Sequence, residues 1–136
     1  MQGPKYAFPA VSDDAVEAPI PFAEVDRGVS VLRDEIVYEA VDDEFGKGAE
    51  IGRVHIVALK PTELGEGSVV ARVVFRLFDE PASTLTVSGV LPHHADETVG
   101  SGRLAILGGT GRFKTTRGEL VVRAKNPHRW SLDEGP

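Results

Sequence analysis

Asp34 and Tyr38 are the polar residues whose spacing first points to chemistry. They stand four apart in the run Ser30 to Ala40, so a strand here places them on one face together with Leu32 and Ile36. A carboxyl group held among apolar side chains has its charged form disfavoured, and can give a proton to a reacting molecule or take one from it. The Tyr38 hydroxyl can hydrogen-bond a substrate carbonyl. Two plainer readings stay open: Asp34 caps a turn or pairs with an arginine outside, and Tyr38 is a buried tyrosine with a structural partner. The opposite face of the same run, Val31, Arg33, Glu35 and Val37, competes for the interior; the face carrying Asp34 is taken as the inward one.

His93-His94 follows Pro92, with Asp96 and Glu97 close behind. Adjacent histidines on a strand point to opposite faces and no third ligand follows at a helical spacing, so a metal site is not expected. His93 continues the parity of Leu91 and is read as a residue at a binding rim. Gly108-Gly-Thr-Gly111 after the apolar run Leu104 to Leu107 invites a dinucleotide-binding reading, but Lys114 stands where a small residue is needed. Too little chain follows for a crossover helix, a second strand and an acidic ribose partner. A phosphate-binding P-loop fails as well, because no glycine precedes Lys114.

Composition narrows the class. A chain of 136 residues with 41% hydrophobic and 26% charged residues fits one soluble globular domain. Its net charge of −6 argues against sequence-independent binding to nucleic acid. The absence of Cys removes disulfides, thiol catalysis and Cys-based zinc sites. No basic and apolar leader of the secretory kind opens the sequence, and no run approaches the ~20 apolar residues of a membrane helix. The expected location is cytoplasmic, with neither membrane nor nucleic-acid partners.

Residues 1–19, with prolines among small and acidic residues, read as a flexible N-terminal arm, either a disordered leader or a segment lying across a barrel mouth with Tyr6 and Phe8 as apolar anchors. Residues 20–136 read as the folded domain. Short β-branched runs punctuated by Gly, Pro, Asp and Asn predict strands near 20–26, 30–40, 51–60, 68–78, 83–91, 102–107, 117–125 and 128–132. About eight such strands joined up and down form an all-β, antiparallel barrel wide enough for one small ligand. Alternation then selects inward positions: Val69, Ala71, Val73, Phe75 and Leu77; Leu85, Val87, Gly89 and Leu91; Val54, Ile56 and Ala58; Leu104 and Ile106; Leu120, Val122 and Ala124. His55 falls outside. Ala71, Gly89 and Ala124 are read as leaving room within. Val70, Val74 and Phe78 form an outer apolar patch that predicts self-association.

The segment Ser83-Thr-Leu-Thr-Val-Ser-Gly89, then Leu107-Gly-Gly-Thr-Gly-Arg-Phe-Lys-Thr-Thr-Arg-Gly118, resembles the C-terminal half of dirigent proteins and of the allene oxide cyclase barrel family. Weaker similarity reaches Asp34 to Tyr38 and Ile51-Gly52. The resemblance implies an antiparallel barrel around a small-molecule cavity. It also implies ring closure or stereocontrol of a hydrophobic intermediate without a redox cofactor, and a homodimer or homotrimer. Distant similarity to spirotetronate cyclases places His93 at a cavity-lining aromatic position, but the Tyr and Trp lining those cavities fall on Leu104 and Val122 here. The substrate therefore does not carry over.

The functional expectation is a cofactor-independent cyclase or stereocontrol protein of secondary metabolism, with a non-catalytic carrier of small lipophiles as the alternative. A purely structural homo-oligomer with a filled barrel is a third reading, against which the room left by Ala71, Gly89 and Ala124 argues. Asp34 and Tyr38 are the candidate catalytic residues; Leu32, Ile36, Ala71, Val73, Phe75, His93, Leu104, Val122 and Trp130 are the candidate substrate-binding ones. Phe113 is expected to plug the barrel end. With an interior this apolar, holding the substrate near its reactive geometry, which can remove up to roughly 7–11 kcal/mol of barrier, should outweigh any single acid or base.

Overall fold

The structure, a computed structural model, describes residues 8–14, 30–42, 44–59, 68–78, 82–92, 101–124 and 128–133. Its strands are β1 (Ala10–Asp14), β2 (Ser30–Ala40), β3 (Lys47–Leu59), β4 (Ser68–Leu77), β5 (Ser83–Pro92), β6 (Gly102–Gly109), β7 (Glu119–Ala124) and β8 (His128–Asp133). They pair antiparallel in sequence order, and β1 pairs with β8 to close the barrel. The all-β barrel expected from the sequence is thus the fold. Among the described residues no helix is long and apolar enough to cross a membrane.

Period-two alternation explains most of the interior. Val54, Ile56 and Ala58 of β3, Ala71, Val73, Phe75 and Leu77 of β4, and Leu85, Val87 and Leu91 of β5 are buried together with Leu104, Leu120, Val122 and Trp130. Arg72 and Arg76, between the inward β4 residues, are exposed. Gly89 does not leave the room expected of it, because a Cβ there would lie 3.1 Å from Leu104 Cδ2, which already fills the space. On the outside, β5 and β6 slip register between Thr86 and Val87, and Leu107 is skipped in the pairing and left 57% exposed. Val57, Val70, Val90 and Phe78 are likewise exposed, whereas Val74 is only half so.

One barrel end is closed by aromatic rings. After β6, Thr110 bonds to β5 through its amide to the Thr84 carbonyl at 2.9 Å and through its hydroxyl to the Thr84 hydroxyl at 2.7 Å. A 3₁₀ turn, Gly111–Phe113, then drives Phe113 inward. The turn needs glycine at two points: Gly111 has φ +61°, and a Cβ on Gly109 would sit 2.7 Å from Phe113 Cβ. Phe113, Phe8 and Phe75 stack at centroid separations of 5.9 and 5.2 Å from Phe8, and Phe75 meets Trp130 edge-on at 5.0 Å. The expected plug is present, and it has four rings.

Two further sequence expectations are corrected. The boundary at residue 19 does not separate arm from barrel, since Ala10–Asp14 is the strand that closes it; the strand expected near 20–26 lies outside the described residues. Tyr6 also lies outside them. Secondly, the inward face of β2 is the opposite one. Glu35 and Val37 are buried, while Asp34 is exposed and Ile36 and Tyr38 are half-buried on the outer side.

Candidate active site

Three neighbouring strands bring three of the buried polar side chains, Ser12, Glu35 and His128, together. In the β1–β8 and β1–β2 ladders Ser12 stands opposite His128 on one side and Val37 on the other, so Glu35, two residues from Val37, shares its face. The Ser12 hydroxyl donates to Glu35 Oε1 at 2.5 Å. Trp130 Nε1 donates to the Ser12 oxygen at 2.8 Å. His128 Nδ1 lies 3.1 Å from the same Glu35 Oε1. Glu35 is 2% exposed and His128 4%. A carboxylate this deep survives only with donors aimed at it, and here it has a hydroxyl and an imidazole.

The surroundings keep the group dry. Val37, Val54, Phe75 and Trp130 are fully buried, and the His128 ring lies 5.6 Å from that of Trp130. His128 is the first residue of β8, at the end of the barrel opposite the Phe8–Phe113 plug. An imidazole against a buried carboxylate is an acid–base pair: Glu35 can hold the ring's tautomer and balance its positive charge while the ring exchanges a proton.

The candidate residues fall into three groups. Ala71, Val73, Phe75, Leu104, Val122 and Trp130 are inside the barrel. Asp34, Ile36 and Tyr38 are on its outer side, where Asp34 Oδ1 meets His55 Nδ1 at 2.6 Å and Lys47 Nζ lies 5.2 Å over the Tyr38 ring. These three therefore face away from the interior assigned to them, because β2 turns Glu35 inward to partners on β1 and β8. His93 and the side chain of Leu32 lie outside the described residues. The backbone of Leu32 pairs with Val57, whose side chain is exposed.

Sequence reasoning missed Ser12, Glu35 and His128. His128 was within reach: it shares the parity of Trp130 in a strand that the pattern predicts. Ser12 was hidden by reading residues 1–19 as an arm.

No protein-family model matches this chain, and no curated protein does. Among solved structures, a pyocyanin demethylase is similar with a TM-score of 0.57 and 18% sequence identity, over 89% of this chain and 88% of the other. At that identity the likeness is one of fold, spanning nearly the whole of both chains.

Proposed function

We propose that the protein is a small-molecule barrel enzyme that closes a ring in, or isomerises, a hydrophobic intermediate without a redox cofactor, using Glu35 and His128 for proton transfer. The observation that carries this reading is the buried Ser12–Glu35–His128 constellation among the apolar side chains Val37, Val54, Phe75 and Trp130. A carrier needs no acid–base pair to hold its ligand, and a buried carboxylate costs several kcal/mol of desolvation before its partners offset it. The resemblance of the Gly108–Gly118 turn to dirigent and allene oxide cyclase barrels supports ring closure. The fold shared with a demethylase of pyocyanin supports an enzymatic use of such a barrel.

The acid–base pair changes the balance of the mechanism. Shape still holds the substrate near its reactive geometry, and a positioned base adds about 10²–10⁴-fold. The test is to incubate the protein with hydrophobic polyketide and terpenoid precursors and follow them by liquid chromatography and mass spectrometry. A product of unchanged mass and altered retention, formed more slowly by Glu35→Gln, is expected. Pyocyanin is a further probe, for which loss of its methyl group would favour demethylation over ring closure. Binding of precursors with no conversion of any would establish the carrier instead.

A further inference from the structure

The direction of the hydrogen bonds around Glu35 assigns the two imidazole nitrogens different roles. An indole N–H can only donate, so the Ser12 oxygen accepts from Trp130 and turns its own hydrogen toward Glu35 Oε1. That same carboxylate oxygen stands 3.1 Å from His128 Nδ1. A charged carboxylate can only accept, so a charged Glu35 takes the imidazole hydrogen from Nδ1 and, in the neutral ring, the lone pair falls on Nε2, the nitrogen turned away from Glu35. From these contacts we infer that His128 Nε2 removes a proton from carbon, that Glu35 is its positioning residue, and that the substrate is a neutral, largely apolar carbon acid. This rests on the reading of the barrel as a small-molecule enzyme.

Each part of the substrate class has a cause. Protons on oxygen and nitrogen exchange rapidly without help, whereas a proton on carbon leaves slowly, so a base built into a dry interior matters for carbon. Neutrality follows from the wall, because Val37, Val54, Ile56 and Phe75 offer no partner to a buried charge. In the step itself the C–H bond breaks as an N–H bond forms on Nε2. The electron pair passes into the substrate's own conjugated carbonyl or forms a carbon–carbon bond to an electrophilic carbon of the same molecule. The Nε2 proton then returns to the atom left with negative charge, so nothing is oxidised or reduced. Glu35 balances the imidazolium in between.

The probe is 5-nitrobenzisoxazole, a neutral planar carbon acid whose deprotonation breaks its N–O bond and releases a coloured nitrophenolate. Trp130, the only Trp in the chain, reports binding by quenching of its fluorescence. Saturable turnover is expected, with His128→Gln slower by roughly 10²–10⁴-fold and Glu50→Gln, on the exposed surface, unchanged. Nitrogen-detected NMR of the unmodified protein should show His128 as the Nδ1–H tautomer. Glu35→Gln should mix the tautomers and slow turnover without moving the quenching midpoint. Thermal melts accompany each variant, and if His128→Gln does not fold, Glu35→Gln and the tautomer decide. An Nε2–H tautomer overturns the base assignment, as does turnover insensitive to His128→Gln with the probe bound. Absence of quenching overturns the substrate class. Each result differs from failure of the broader reading, which is the absence of equal-mass conversion of any precursor.

Discussion

Ser12 and Glu35 lie 23 residues apart on neighbouring strands, and their side chains meet at 2.5 Å with both residues shut away from solvent. The bond ties the strand that closes the barrel to the only buried carboxylate among the described residues. Ser12 accepts from Trp130 on its other side, so one hydroxyl connects β1, β2 and β8 through side chains where their backbones are already paired. Barrel closure and the geometry of the acid–base pair are consequently one structural problem.

Ser12→Ala should cost about 1–3 kcal/mol, because the Trp130 N–H loses its acceptor and Glu35 loses a donor, both buried. Urea unfolding at an unchanged m-value measures the loss. The Trp130 indole proton should shift in the NMR spectrum of the folded variant. An unmoved indole resonance would show that the Trp130–Ser12 bond is not made.

How much of this was legible in the sequence depends on the strand. β4 could be read residue by residue, since Arg72 and Arg76 alternate with Ala71, Val73, Phe75 and Leu77 and only one face is apolar. In β2 each face carries an acid and apolar residues, so alternation alone cannot choose; the choice is made by Ser12, His128 and Trp130, none of them near β2 in sequence. Nor does a sequence announce the register slips at Tyr38 and Leu107. β1 was the least legible, being five residues long beside prolines. Its place is fixed by pairing on both sides and by Lys47, which reaches Asp13 at 2.5 Å.

The glycines of the plug turn should respond differently to alanine. Gly111→Ala forces a side chain into left-handed backbone at φ +61° and against Ser83 Oγ, so a loss of at least about 1–3 kcal/mol is expected. At Gly108 an added methyl would meet nothing within 4 Å, so Gly108→Ala should be neutral or stabilise by up to ~1 kcal/mol through the unfolded chain. Thermal melts of the two variants decide, and equal losses would contradict this account of the turn.

Acid should loosen the β2–β3 loop before the barrel. Asp42 Oδ1 accepts from the amides of Glu44 at 2.9 Å and Gly46 at 3.2 Å, and these bonds hold its carboxyl below the usual value of 3.8. A depressed folded-state pKa means the stabilisation is present in full above 3.8 and is lost as pH falls through the lower folded value. The Glu44 and Gly46 amide resonances should move together in that window, and Asp42→Ala should abolish the titration. Arg129, which donates to the carbonyls of Asp42 and Glu44 at 2.8 and 3.0 Å, should keep the loop seated above it.

The Glu35–His128 pair itself separates function from folding. Removing one member leaves the other buried without its partner, so His128→Leu should destabilise by about 3–5 kcal/mol. Replacing both by leucine removes two buried polar groups at once, and such replacements are often neutral or stabilising. The double variant should therefore be more stable than His128→Leu, with the Ser12–Trp130 bond still in place to hold β1 against β8. Denaturant titrations of the wild type, both single variants and the double variant form the cycle that measures the coupling. If the double variant matches the wild type in stability while losing all conversion of substrate, the pair is kept for chemistry; if it is the least stable of the four, the pair holds the barrel together and the acid–base reading loses its main support.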